Sequence, residues 1–290
     1  MIILITTDAW HPQINGVAIT LSNTIKQLQA QGHNTKTIIP NDFKTHKIPY
    51  TNDISLPLYV PHKKIKDKIN WAEYIHISTE GPIGLSTRNY CHQHKLNYTT
   101  AYHTDIPGFI KNNIGIGTTI TKQYLKWFHQ TSNNIMTTTP QNAQALKEYG
   151  ITAPTSTWIR GVDTNLFKPI QKDKTDKIKI VYCGRISPEK GIKDFLELDI
   201  RYQKTIIGDG ISLNQYQQQH PEINFTGQLT GQKLANELAN HDIFVFPSKF
   251  DTFGLVILEA MACGLPIACY DTKGPGEINK NHPEIGQTIS

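Results

Sequence analysis

The stretch Phe246-Pro247-Ser248-Lys249-Phe250-Asp251-Thr252-Phe253-Gly254-Leu255-Val256-Ile257-Leu258-Glu259-Ala260-Met261-Ala262-Cys263-Gly264-Leu265-Pro266 decides the fold. It opens on the end of one short apolar run, Ile243–Phe246, and closes on the start of another, Pro266–Cys269. Between them lie a loop that presents Asp251 and an apolar segment that starts near Phe253-Gly254 and stops at Gly264, a residue suited to a helix C-cap. Strand, loop, helix and strand in this order form a βαβ unit, which requires a parallel sheet.

The same alternation extends in both directions. Upstream in the second half, strands are predicted over Ile178–Cys183, Thr205–Ile207 and Asn224–Phe225. In the first half they are predicted over Ile2–Thr6, Thr35–Ile39, Tyr74–Ile77, Tyr98–Tyr102, Ile135–Thr138 and Thr155–Ile159. Helical periodicity runs over Val17–Gln31, Ile83–His94, Thr119–Thr131 and Gln141–Tyr149, the last closing at Gly150. From Asp163 to Lys177 the pattern breaks into a polar, lysine-rich stretch. The expected architecture is α/β, with two Rossmann-like, doubly wound parallel-sheet domains facing across a cleft: residues 1–165, a linker over 166–177, and residues 178–290. In such sheets ligands bind beyond the carboxyl ends of the strands.

A chain of 290 residues with 38% hydrophobic and 18% charged residues has room for two such cores. No apolar run approaches the roughly 18 residues of a membrane span. The apolar start, Met1–Thr6, lacks a basic flank and a small-residue cleavage site and is followed directly by Thr7 and Asp8, so it reads as a first strand. Cys91, Cys183, Cys263 and Cys269 form no CxxC pair and no zinc-like spacing. They read as reduced, buried small residues in a cytoplasmic protein. A net charge of +5 suits an anionic partner without choosing among a diphosphate, a membrane surface and nucleic acid. The densest basic stretch, His62-Lys63-Lys64-Ile65-Lys66-Asp67-Lys68, is either a solvated face or a peripheral membrane contact.

Four segments at strand ends carry candidate chemistry. After the first strand, the loop from Asp8 through Asn15 and Gly16 leads into a helix whose N-terminus favours a donor diphosphate or an acceptor, or is only a helix start. Tyr102-His103-Thr104-Asp105 places polar groups at another strand end, where His103 can bond a sugar hydroxyl, stabilise charge or serve as a structural donor. Gly184-Arg185-Ile186-Ser187-Pro188-Glu189-Lys190-Gly191 offers a guanidinium and an ammonium beside helix amides, which suits a diphosphate; the alternative is two solvated cations with Glu189 paired to one of them. In the opening stretch, Asp251 and Glu259 are eight positions apart, roughly 12 Å along a helix. That is too far for a shared acid–base pair but spans a sugar and a ribose of one extended donor. The amides of Phe253, Gly254 and Leu255 lie between them, at the phosphates. Gly208-Asp209-Gly210 is a turn at a further strand end.

Taken together, these segments resemble glycosyltransferase family 4, retaining enzymes of the GT-B fold, and most of all its bacterial α-mannosyltransferase-like and sulfolipid-synthase-like members. The opening Asp8-to-Val17 loop, Tyr102-His103-Thr104, Arg160-Gly161-Val162-Asp163, Gly184-Arg185 with Lys190, Gly208-Asp209-Gly210 and the Pro247–Glu259 block carry the resemblance over nearly the whole chain. It implies a donor site of Gly16, Arg185, Lys190, Asp251, Phe253, Gly254, Leu255 and Glu259, with Glu259 on the ribose and Arg185 and Lys190 on the diphosphate. His103, Asp251, Arg185 and Lys190 are the implied catalytic residues, and Asn15, Tyr102 and Asp105 the acceptor side. Asp251 stands where the family has a glutamate, a shorter acid against the transferred sugar. The implied reaction is retaining transfer of a hexose, mannose favoured, from GDP-mannose or a UDP-hexose to a hydroxyl of a lipid or envelope glycan, with no metal and no further cofactor. The expected place is cytoplasmic, either free or peripheral at the inner face of the membrane. Only a short polar stretch follows Gly274-Pro275-Gly276-Glu277, so beside the family the second domain reads as shortened. A nucleotide-sugar-binding protein with little or no turnover is therefore the alternative. A Rossmann dehydrogenase is disfavoured, since neither half has GxGxxG after a strand, and no nucleic-acid-binding module is recognisable.

Overall fold

The computed structural model describes residues 1–13, 15–47, 55–103, 107–108, 118–172, 176–199, 201–249, 251, 253–272, 274–276, 278 and 286–289. The chain divides into two compact units, Met1–Ile159 and Arg160–Ser290. The division falls a few residues before the expected boundary at 165, and segment 166–177 goes with the second unit.

In the first unit the strands are β1 (Ile2–Thr6), β2 (Asn34–Ile38), β3 (Thr45–Lys47), β4 (Ser55–Pro57), β5 (Tyr74–Ile77), β6 (Thr99–Tyr102), β7 (Asn134–Thr137) and β8 (Thr155–Thr157). Six of them form a sheet in the order β2-β1-β5-β6-β7-β8, and every pairing in it is parallel. β3 and β4 pair antiparallel outside it. The helices are α1 (Gly16–Ala30), α2 (His62–Trp71), α3 (Pro82–Gln93), α4 (Thr118–His129) and α5 (Pro140–Glu148). Adjacent residues of β1 face opposite layers, as strand geometry dictates. Leu4 packs with Ile65 and Ile69 of α2 and Ile83 of α3, while Ile5 packs with Leu21 and Ile25 of α1. The sheet is thus covered on both faces, which is why β1 reads as a nearly continuous apolar run. Basic residues 63–68 lie on α2, whose Ile65 and Ile69 are buried while Lys63, Lys64 and Lys66 are exposed.

The second unit repeats the plan. Its strands are β9 (Lys179–Cys183), β10 (Gln203–Ile207), β11 (Asn224–Gly227), β12 (Ile243–Phe246), β13 (Ile267–Tyr270) and β14 (Gly286–Ile289), and its helices are α6 (Ile192–Leu196), α7 (Leu213–Gln219), α8 (Gly231–Ala239) and α9 (Leu255–Ala262). The sheet order β11-β10-β9-β12-β13-β14 is that of a doubly wound dinucleotide-type domain, and its pairings are parallel. Here β9 is the two-faced strand. Val181 packs with Leu238 of α8 and with Ile257 and Ala260 of α9; Ile180 and Tyr182 pack with Phe195 of α6 and Tyr216 of α7.

Among the described residues, no helix is long and apolar enough to cross a membrane. The burial pattern sets the energetics. Leu4 is fully buried and Leu58 is 79% exposed. Leu4→Ala is expected to cost about 2–5 kcal/mol and Leu58→Ala no more than about 0.5 kcal/mol, read from urea unfolding followed by circular dichroism.

Candidate functional site

The order of the second sheet reverses at β9, with β10 on one side and β12 on the other. Loops leaving the carboxyl ends of β9 and β12 therefore turn to opposite faces and open a crevice between them. The first of these is residues 184–191. Its start is sewn to the loop after β10: Gly184 N donates to Ile207 O at 3.0 Å, Ile186 N to Asp209 O at 2.8 Å, and Ser212 N to Ile186 O at 3.1 Å. A Cβ on Gly208 would run into the Gly184 carbonyl, and one on Gly210 into the backbone of Ile186. The glycines of Gly208-Asp209-Gly210 are thus explained by the close approach of two loops. Tyr182, at the end of β9, donates its hydroxyl to Arg185 O at 2.8 Å and fixes the backbone that carries the half-buried Arg185.

A short 3-10 turn, Pro188–Lys190, follows, and Gly191 adopts a left-handed conformation with φ 66°. A Cβ there would meet the Pro247 carbonyl, so this turn lies directly on the loop after β12. Lys190 Nζ consequently reaches both carboxylate oxygens of Asp251, at 2.8 and 2.9 Å. The carboxylate that engages Lys190 is therefore Asp251, while Glu189 instead accepts a hydrogen bond from Ser187 Oγ at 2.6 Å. Both members of the ion pair are about one-fifth to one-quarter exposed, at 21% for Asp251 and 24% for Lys190. Burial pushes the Asp251 carboxyl up, but the Lys190 ammonium and its hydrogen bonds, with the Ser248 hydroxyl and the Arg185 charge, outweigh it and hold the carboxyl below its usual range.

Eight residues on, Glu259 belongs to α9, which starts at Leu255 behind Gly254. The stretch from Phe253 to Leu255 is thus the N-terminal end of that helix, where backbone N–H groups and the helix dipole favour an anion. Phe253 itself is 9% exposed and joins the core. Glu259 is 8% exposed, and burial alone pushes its carboxyl up to about 7. Its charge is felt by the Cys183 thiol at the end of β9. As the sequence implies, Asp251 lies in the loop and Glu259 within the helix.

In the first unit the corresponding reversal lies between β1 and β5, and it is closed by its own hydrogen bonds. The Asp8 carboxylate accepts from Ile83 N at 2.8 Å, Gly84 N at 3.3 Å and Thr79 Oγ1 at 2.7 Å, capping α3. Burial, partly offset by these bonds, raises its carboxyl to about 6. Asn15 is the N-cap of α1: its Oδ1 accepts from Ala18 N at 3.0 Å and its Nδ2 donates to Gln13 Oε1 at 3.2 Å. Gly16 is the first residue of that helix. His103 follows β6, is 6% exposed and lies against Trp158 with ring centroids 5.6 Å apart. Tyr102, expected on the acceptor side, is 1% exposed and packs in the core with Leu125, Ile135 and Leu146. Strand alternation turns it inward, so no acceptor contact is assigned to it. Asp105, with Thr104, lies outside the described residues. Sequence reading also passed over a buried pair beside this strand, His129 Nε2 to Glu80 Oε1 at 3.2 Å, with Tyr124 donating to Glu80 O at 2.5 Å. Partners 49 residues apart leave no local sequence signal.

Residues 14–166 match the family described as Glycosyltransferase Family 4, and residues 163–286 match Glycosyl transferases group 1. The chain belongs to glycosyltransferase family 4. It is 28% identical to a GDP-mannose-dependent alpha-mannosyltransferase of Corynebacterium glutamicum, over 95% of this chain and 73% of the relative. A second GDP-mannose-dependent alpha-mannosyltransferase, of Mycobacterium tuberculosis, is 25% identical over 97% of this chain and 82% of the relative. The sucrose-phosphate synthase structure from Thermosynechococcus elongatus superposes with a TM-score of 0.75 at 19% identity, covering 99% of this chain and 85% of that one. The fold of this glycosyltransferase is accordingly GT-B, as its sequence motifs imply.

The raised Glu259 carboxyl has a defined pH signature. Because the folded state holds this proton more tightly than the unfolded chain, the group's contribution to stability is complete below about 4.5, declines as pH rises, and is lost above about 7. Glu259→Gln is expected to flatten the fall in melting temperature of the ligand-free glycosyltransferase between those pH values. An unchanged slope would mean that Glu259 titrates normally.

Proposed function

We propose that the glycosyltransferase moves a hexose, mannose favoured, from a nucleotide-diphosphate sugar to a hydroxyl acceptor with retention of configuration. The convergence of Arg185, Lys190 and Asp251 at the strand-order reversal supports this reading above all. Two cations stand on the loop after β9, where a diphosphate docks in such sheets, and the acid paired with Lys190 is held ionised. On this reading Arg185 and Lys190 hold the diphosphate and meet the charge that develops as it leaves, so the transfer needs no metal ion. Asp251 accepts from hydroxyls of the sugar, Glu259 from the ribose, and the amides of Phe253, Gly254 and Leu255 face the phosphates. Gly16, Asn15 and His103 belong to the acceptor-side unit, with His103 by the sugar ring. The acceptor oxygen bonds to the anomeric carbon on the face from which the phosphate oxygen departs, and the acceptor proton passes to that oxygen. The chain's own side chains bind and orient; none is assigned as a nucleophile.

GDP-mannose is the favoured donor because the two bacterial relatives above carry it in their names, with a UDP-hexose as its competitor. A lipid or envelope-glycan acceptor and a peripheral place at the inner, cytoplasmic face of the membrane fit the exposed Lys63, Lys64 and Lys66 of α2 beside Leu58 and Tyr59, 79% and 77% exposed.

Melting temperature against GDP-mannose, UDP-glucose and ADP-glucose tests the donor directly, since a ligand of the native state must raise it. GDP-mannose is expected to give the largest shift; no shift with any of the three overturns the proposal, and binding without transfer to any lipid or glycan acceptor leaves a sugar-nucleotide-binding protein. The ion pair supplies a second expectation. Asp251→Asn frees Lys190, so free GDP should bind at least as tightly as to the wild type, while kcat/KM for the sugar donor falls roughly 10- to 100-fold with the loss of charged hydrogen bonds to the hexose. Weaker binding of GDP together with unchanged turnover would remove Asp251 from the sugar site.

A further inference from the structure

Two segments bear the Lys190–Asp251 pair, and a residue on neither of them joins both from behind. Tyr270 is the last residue of β13. Its hydroxyl donates to Asp194 Oδ2 at 2.7 Å, on α6, four residues after Lys190. Its ring carries Lys249 Nζ at 4.2 Å from the centroid, in the loop after β12, two residues before Asp251. Tyr270 and Asp194 are both half-buried and Lys249 is exposed, so the bracket sits at the rim of the sheet's carboxyl edge rather than in the core. The bond to Asp194 also holds the Tyr270 phenol above its usual range. An ammonium over a tyrosine face and a phenol on a carboxylate are each modest interactions. Here they act on the two loops whose relative position decides whether Lys190 reaches Asp251.

We infer that Tyr270 is a positioning residue for the donor site: through Asp194 and Lys249 it fixes the turn bearing Lys190 against the loop bearing Asp251. This rests on the donor-site reading given above, and Tyr270 itself touches no reacting atom. The geometry explains why a tyrosine serves there: phenylalanine keeps the platform for Lys249 but loses the bond to Asp194, and leucine loses both.

Two measurements on the full chain test the inference. Amide hydrogen exchange of the ligand-free glycosyltransferase is compared for wild type, Tyr270→Phe and Asp194→Asn, followed by donor kinetics of the same three. Exchange in both 185–194 and 247–251 is expected to quicken in each variant, with β1 to β8 unchanged. The donor KM should rise about tenfold with kcat within twofold, and the double variant should be no worse than either single one, because both remove the same bond. Exchange unchanged in either segment overturns the bracket whatever the donor does. Quickened exchange with an unchanged donor KM overturns the positioning role. Failure of the wild type to bind any nucleotide sugar would sink the donor-site reading instead, and the exchange arm would still decide whether Tyr270 ties the two loops.

Discussion

The parallel pairing of β9 with β10 on one side and β12 on the other is the constraint on which the candidate site depends. It makes β9 a strand buried on both faces, which only an apolar run such as Ile180-Val181-Tyr182 satisfies. It also sends the loops after β9 and β12 away from each other, leaving a gap that main chain alone does not fill. Everything that lines the gap follows from how closely those loops can still be brought together. Gly191 lies against the Pro247 carbonyl, where any side chain would push the two loops apart, and Gly208, after β10, lies as closely against the Gly184 carbonyl. Only with that closeness do Lys190 and Asp251, 61 residues apart in sequence, meet at hydrogen-bond distance.

The two acids of the site then diverge in character although they are eight residues apart. The Lys190 ammonium and the Arg185 charge keep Asp251 ionised, whereas burial on the apolar α9 raises the Glu259 carboxyl to about 7. A diphosphate arriving at Lys190 must compete with Asp251, whereas hydroxyls arriving at Glu259 supply hydrogen bonds to a carboxylate whose charge burial disfavours. Occupation of such a site would release Asp251 from its cation and bring hydrogen-bond donors to Glu259.

Much of this was legible in the sequence and some was not. The apolar strands Ile2–Thr6, Tyr74–Ile77 and Ile243–Phe246 matched to the residue, because a two-sided buried strand leaves a run that composition alone exposes. β3, β4 and β14 were missed: three or four residues such as Thr45-His46-Lys47 carry no pattern, and pairing rather than propensity makes them strands. α6, with five residues, is too short to show a period. At the site, the charged residues were legible and their partners were not. Local sequence leaves Glu189 free to pair with either Arg185 or Lys190, but Glu189 accepts from Ser187 and the turn at Gly191 delivers Lys190 to Asp251. Tyr102 ends a strand, as a rim residue does, yet the alternation of β6 turns its ring inward.

Both units are parallel sheets with one reversal of strand order, reached by different orders, and the two reversals differ electrostatically. At the reversal in the first unit the acid, Asp8, is consumed internally: two backbone N–H groups at the start of α3 and a threonine hydroxyl hold its oxygens, and no cation is among the groups that set its raised carboxyl. Asn15 is likewise engaged by the helix it caps. At the reversal in the second unit the acid is held by a lysine ammonium, a mobile point charge on a flexible stem that a phosphate can draw away without leaving a helix uncapped. An exchangeable ion pair costs little to open, whereas a helix cap costs about 1 kcal/mol to lose. On the proposed reading a charged ligand is therefore accommodated at the β9–β12 reversal, while the β1–β5 reversal holds its loop and the start of α1 in place.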